Sequence, residues 1–264
     1  FDPFMKVAEE EGISVIFCPP RATPPAWLTE KYPEVLNADA QGVLYRHGMR
    51  RHYNYTSPKY WELSRRLIHK LAVHYCSYSN VIGWQLDNEI NCEMAEFHAE
   101  SDHKAFRDYM KVKFETLDNL NEKMGTAFWN QTYTDWEEIY LRRHTIGGFN
   151  NPHMELEGKR FISYAAYAFL KMQAEAIRPY LKEDQFITTN GIFSNVDYQR
   201  LVPEVLDFIT YDNYPNFSYG MDANPRQEGN LKDRNSSFNL ARVRSISPVF
   251  GIMEQQSGPG GWTG

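Results

Sequence analysis

Five short apolar runs, set between long amphipathic stretches, constrain this 264-residue chain more than any other feature. They are ISVIFCP (13–19), VIGWQLDNE (81–89), QFITTNG (185–191), VLDFITYDNYP (205–215) and SPVFGIMEQQ (247–256). Each is too short for a buried helix and reads as a strand covered on both faces. The intervening segments carry helical signals. Residues 1–12 place Phe4, Val7 and Ala8 at helical spacing, leave Glu9, Glu10 and Glu11 as a solvated face and stop at Gly12. Residues 58–75 open on Ser57-Pro58, with proline in the first turn. Residues 101–124 and 158–182 carry apolar stripes of helical period, and DYQRLVPE (197–204) is a shorter helix. PPRATPPAWLTEKYP (19–33) reads as a proline-rich loop and 41–57 as a polar, basic one. Strands alternating with helices predict a parallel α/β sheet with right-handed crossovers.

Two parallel architectures compete. A doubly wound sheet wants a glycine-rich turn after an early strand, and no run here is followed by GxGxxG or by a phosphate loop. That also removes the nucleotide-dependent α/β enzymes. Instead every run ends in polar or aromatic residues: CPPRATPP, DNE, TTNG, YDNYP and MEQQ. This is the pattern of a (β/α)8 barrel, whose chemistry sits at the C-terminal strand ends. Five strands cannot close such a barrel. With Phe1 already inside a helix and the last residues in a glycine-rich loop, the chain is expected to be a segment of a longer one. No internal repeat or low-complexity linker interrupts it.

Composition excludes several partners. The net charge of −6 comes without a basic stripe, which argues against nucleic acid or an anionic membrane surface. No apolar run approaches the ~18 residues of a membrane span. Cys18, Cys76 and Cys92 are too few for a disulfide scaffold, and the eight histidines show no paired metal-ligand spacing. Cys76 lies on the inner stripe of a helix and reads as core. Aromatic residues make up 15% of the chain, enough to line a ligand cleft as well as a core.

Two carboxylates stand out, because Glu89 ends one apolar run and Glu254 ends another. At the mouth of a barrel two such groups can flank one scissile bond, the arrangement that glycoside hydrolysis needs. A single glutamate at a strand exit is as often an ordinary charged residue; an Asn-Glu pair and a second glutamate on a later strand favour catalysis.

These stretches are similar to a known family. TPPAWLTEKYPEVL, HGMRRHYNYTSPKY, WQLDNE, GTAFWNQTYTDWEEI, FITTNG, LDFITYDNYPNF and MEQQSGPGGW occur in the order found in the glycoside hydrolase family 42 β-galactosidases, which the chain resembles along nearly its whole length. The resemblance implies a partial catalytic domain over residues 1–264, covering roughly the third to seventh strands of the barrel, with the first, second and eighth outside it. It implies a retaining hydrolase acting on terminal β-D-galactosyl residues of a galactoside or oligosaccharide. Glu89 would be the general acid/base, with a raised pKa, and Glu254 the ionised nucleophile. Asn88 would bond the sugar 2-hydroxyl and Arg50 would grip galactose, strand alternation allowing only one of Arg50 and Arg51 to point inward easily. Trp262 would wall the sugar and Trp129 would sit near the pocket rim. Tyr211, Asp212, Asn213 and Tyr214 could line the same pocket. Another β-glycoside (an arabinoside, fucoside or glucoside) is the alternative within enzymes, and a non-catalytic carbohydrate-binding barrel the alternative outside them. No cofactor is implied. Some members of the family hold a zinc through cysteines, but here the loop reads Tyr53-Asn54 and only Cys92 follows Glu89, so no metal is expected. The family resemblance further implies a homo-oligomer, a homotrimer, and favours the cytoplasm.

Overall fold

The computed structural model describes residues 1–193, 195–214 and 232–255. Five parallel strands run through it: β1 (Val15–Phe17), β2 (Val81–Gln85), β3 (Phe186–Thr188), β4 (Ile209–Asn213) and β5 (Phe250–Gln255). Their spatial order follows the chain. Val15 pairs with Val81, Gly83 with Phe186 and Ile209 with Phe250, while one parallel bridge, Asn190 to Thr210, carries the sheet from β3 to β4. Sequential parallel strands with helices between them form an arc of a (β/α)8 barrel, and every strand delivers its C-terminal end to the same rim. Gly83 is required by this packing, since a Cβ there would lie 2.4 Å from the Phe186 ring. Between β4 and β5 the register shifts at Tyr211/Asp212, so that Asp212 pairs with Glu254.

The helices are α1 (Asp2–Glu10), α2 (Ala26–Lys31), α3 (Pro58–Tyr75), α4 (Glu100–Phe114), α5 (Leu117–Met124), α6 (Pro152–Ile177), α7 (Tyr198–Val205) and α8 (Lys232–Ile246). Sequence periodicity placed α3 at its observed limits. Ser57 caps it by accepting from the Tyr60 N–H, and Tyr60, Ser64, Ile68, Ala72 and Tyr75 form its buried stripe. Other expectations need correction. In α1 the buried pair is Met5 and Ala8, whereas Phe4 and Val7 are exposed. The stripe over 101–124 is two helices, because Glu115 turns left-handed (φ 63°) and Thr116 caps the second by accepting from Asn119 N–H. Helix α6 begins six residues before the expected start, where Asn151 accepts from the His153 and Met154 N–H groups and Pro152 follows. The proline-rich loop contains α2, and α8 separates β4 from β5; neither was anticipated.

The main core lies between the strands and α3 and α6, with Trp84, Ile68, Phe169 and Ile187 fully buried. The long excursion between β2 and β3 has a smaller core of its own, built on Phe106, Met110, Leu120, Ile139 and Phe161. Cys76 is buried as expected. No helix among the described residues is long and apolar enough to cross a membrane.

Candidate active site

Beyond β2 the chain turns sharply. Asp87, Glu89 and Asn91 have φ of 55°, 46° and 65°, a left-handed conformation that costs a non-glycine residue of order 1–3 kcal/mol. Hydrogen bonds hold it. The Asn88 N–H donates to Asp87 Oδ1 at 2.8 Å, the Glu89 N–H to Asn190 Oδ1 at 2.8 Å and the Cys92 N–H to the Glu89 carbonyl at 2.9 Å. Gln85 Nε2 and the Cys18 thiol both donate to the Asp87 carbonyl, at 3.0 and 3.5 Å. Backbone strain restrained on so many sides is characteristic of functional loops.

Asn190, fully buried just past β3, joins this turn to the later strands. Its Oδ1 accepts from Glu89 N–H and, at 3.0 Å, from Gln85 Nε2. Its Nδ2 faces Asn88 Oδ1 at 3.0 Å, Asp212 Oδ2 at 2.8 Å and Glu254 Oε1 at 3.2 Å. Thus one carboxamide touches both the residue at the end of the second strand run and the carboxylate at the end of the fifth. Glu254 also accepts from the Tyr214 hydroxyl. Burial, and then the Glu254 carboxylate, push the Tyr214 phenol above its ordinary value, so it remains a donor. Burial and the same carboxylate push the Asp212 carboxyl up to about 7.

The two adjacent arginines do not alternate. Arg51 takes φ 72°, and this twist brings both guanidinium groups to Glu93. Arg50 Nε donates to Glu93 Oε1 and Arg51 Nε to Oε2 at 3.1 Å. Arg50 also donates to Glu89 Oε2 at 2.6 Å, while buried Arg51 donates to Asp87 Oδ1 and to the Tyr53 hydroxyl, each at 3.2 Å. Asn88 Nδ2 donates to Glu89 Oε2 at 3.3 Å.

Among the described residues, Glu89, Cys92 and Glu93 form the one group whose donor atoms are close enough to share a metal ion, lying within 4.8 Å of one another. They fit a cation poorly. Two guanidinium groups already occupy the carboxylates, and burial followed by the repulsion of Glu89 pushes the Cys92 thiol up to about 11, leaving it protonated. Asn54 is buried elsewhere, donating to Ser101 Oγ at 2.7 Å and accepting from Thr56.

Of the residues singled out from sequence, Glu89, Asn88, Arg50 and Glu254 come together here. Trp129 makes no hydrogen bond or ring contact with them; it is 74% exposed in a left-handed turn and stacks on Phe128. Trp262 lies outside the described residues. Sequence reasoning missed Asn190, Glu93, Asp87 and Gln85. The polar strand end TTNG pointed toward Asn190, but nothing local marks which of its side chains faces the other strands. A groove of about 830 Å³ between α3 and α6, lined by Trp61, Arg65, His69 and Tyr180 among others, includes none of these site residues.

Known proteins are similar to this chain in sequence and fold. The Glyco_hydro_42 family model, described as β-galactosidase, matches residues 1–264. The chain is 36% identical to the β-galactosidase BgaA of a Thermus species, over 99% of its own length and 41% of that relative. It is 35% identical to a β-galactosidase of Thermus thermophilus, over 96% of itself and 40% of the relative. The solved β-galactosidase of the psychrophilic Marinomonas ef1 superposes with a TM-score of 0.87 at 30% identity, covering 97% of this chain and 40% of that one. The chain therefore spans about two fifths of the length of these relatives.

Proposed function

Because this chain belongs to the glycoside hydrolase 42 family of β-galactosidases, we propose that its strand-end cluster is the catalytic centre of a retaining β-galactosidase. The observation that carries the reading is the Asn190 carboxamide, bonded at once to the Glu89 backbone and the Glu254 carboxylate. It ties the two glutamates into one site. In the first step the Glu254 carboxylate attacks the anomeric carbon of a terminal β-galactosyl group, and Glu89 gives its proton to the departing glycosidic oxygen. In the second, Glu89 takes a proton from water, whose oxygen displaces Glu254 and releases β-galactose. Two inversions give retention. Tyr214 and Asn190 orient the attacking carboxylate through their hydrogen bonds.

The substrate contacts follow from the same centre. Asn88 bonds the 2-hydroxyl, a contact that strengthens as positive charge develops at the anomeric carbon. Arg50 turns part of its donor fork from Glu89 to the sugar while Glu93 keeps hold of its Nε. By family resemblance alone, Trp262 is a stacking wall for the sugar; Trp129, exposed and stacked on Phe128, is given no role in this centre. The reaction uses two carboxylates and a water and calls on no cofactor.

Trapping tests the assignment. A 2-deoxy-2-fluoro-galactosyl donor with a good leaving group should glycosylate the complete protein once, and peptide mapping should place the sugar on Glu254. A label on another residue, or no label while galactoside is being turned over, would overturn the reading.

A further inference from the structure

Among the described residues, Asn190 is the only side chain hydrogen-bonded to both proposed catalytic glutamates, and its chemistry is dictated from both sides. A backbone N–H can only donate, so the group facing Glu89 N must be the carboxamide oxygen. A carboxylate facing it from the other side wants a donor, which the NH₂ group supplies. The Asn190 orientation is therefore fixed by its partners. An aspartate could meet the first demand and not the second, and an alkyl side chain neither. The NH₂ group has two hydrogens but three acceptors within 3.2 Å: Asn88 Oδ1, Asp212 Oδ2 and Glu254 Oε1. Asp212 is its closest rival to Glu254, and the buried Asp212 Oδ1 has no hydrogen-bond partner among the described residues. Just beyond β3, Gly191 at φ +80° changes the chain direction immediately after Asn190.

Resting on the catalytic reading above, we propose that Asn190 is a positioning residue that sets both glutamates at once: its oxygen fixes the left-handed turn carrying Glu89, and its NH₂ group orients Glu254 for attack. The two halves of one carboxamide serve the two catalytic residues, so they can be separated by substitution. Asn190→Asp keeps an acceptor for Glu89 N–H and Gln85 but turns an oxygen toward Glu254. Formation of the galactosyl-enzyme should slow by about 10- to 100-fold, the loss expected for one hydrogen bond to a charged group. The factor should be the same for dinitrophenyl and alkyl galactosides, because proton donation by Glu89 is untouched, and azide should not restore the rate. Asn190→Ala removes both halves and should slow alkyl galactosides more than dinitrophenyl ones. The exchanged pair Asn190→Asp with Asp212→Asn returns an amide to the neighbourhood of Glu254 at unchanged total charge. It should recover about tenfold of the loss.

The measurements are rapid-quench rates on the complete protein, alongside thermal unfolding. If Asn190→Asp falls only in thermal stability while both substrates keep parental rates, Asn190 is a structural residue and the proposal fails. If that variant does not fold, the leaving-group dependence of Asn190→Ala decides: equal loss on both substrates overturns the proposal. A trapped label away from Glu254 would instead defeat the catalytic reading itself, and the two failures are thus distinguishable.

Discussion

Replacing Glu89 by alanine tests the division of labour between the two glutamates most directly. The carboxylate makes two bonds that vanish, from Arg50 Nη2 and from Asn88 Nδ2. The scaffold should survive, because Arg50 is still held by Glu93 and Asn88 by Gln85 and Asn190. The expected loss is therefore chemical. An alkyl galactoside such as lactose needs its leaving oxygen protonated and should lose the general-acid contribution of roughly 10²–10⁴-fold, about 3–5 kcal/mol of barrier. Dinitrophenolate departs without a proton, so galactosyl-enzyme formation from that substrate should fall far less. Hydrolysis of the intermediate should then stall, since no base activates water, and a burst of one equivalent should precede slow turnover. Azide needs no base: it should attack the anomeric carbon, displace Glu254 and give β-galactosyl azide at a restored rate. Stopped-flow release of dinitrophenolate and product analysis by NMR provide the assay. Equal slowing of both substrates with no azide product would refute the acid/base role and leave Glu89 a structural neighbour of the centre. Glu254→Ala, by contrast, should abolish turnover of every galactoside.

Three further outcomes are expected. Burial pushes the Asp102 carboxyl, which accepts from Thr56 Oγ1 and Ala99 N–H, up to about 7 from an ordinary value of 3.8. The folded state thus binds the extra proton: the stabilisation is complete below the ordinary value and is lost as pH rises toward 7. Asp102→Asn removes that slope, so the gap in unfolding free energy between parent and variant, read from urea titrations, should change between pH 5 and pH 8 by on the order of 1 kcal/mol or more; an equal gap at both pH values would contradict this. Gly83→Ala drives a methyl group to 2.4 Å from the Phe186 ring and should destabilise by about 1–3 kcal/mol, read as a lowered urea midpoint. Elemental analysis of protein purified without added zinc should find well under one zinc per chain, given a single thiol in the group and the arginines on Glu89 and Glu93; a stoichiometric, chelator-resistant zinc would show that other ligands exist.

Much of this protein is written locally. Period and run length distinguish VIGWQ from PKYWELSRRLIHKLAVHY without any knowledge of the rest of the chain, because a strand and a helix expose different repeats. The alternation of the two implies a parallel barrel arc, and the polar residues ending each apolar run imply a common rim, where Asn88, Glu89 and Glu254 were identified. What remained illegible depends on single dihedral angles and on distant neighbours. Strand alternation suggested that only one of Arg50 and Arg51 would point inward easily, yet a positive φ at Arg51 sends both to Glu93. Alternation alone would not set Glu254 opposite Asp212; the register shift at Tyr211/Asp212 does so. The left-handed Glu115 splits one helical stripe into two helices, since a stripe records which face is buried and says nothing about a break in the backbone. Asn190 illustrates the limit best. Its neighbours in sequence are Thr189 and Gly191, but its partners, Glu89, Asp212 and Glu254, lie 101, 22 and 64 residues away. Only the side-by-side parallel alignment of β2 to β5 brings those strand ends within reach of a single carboxamide.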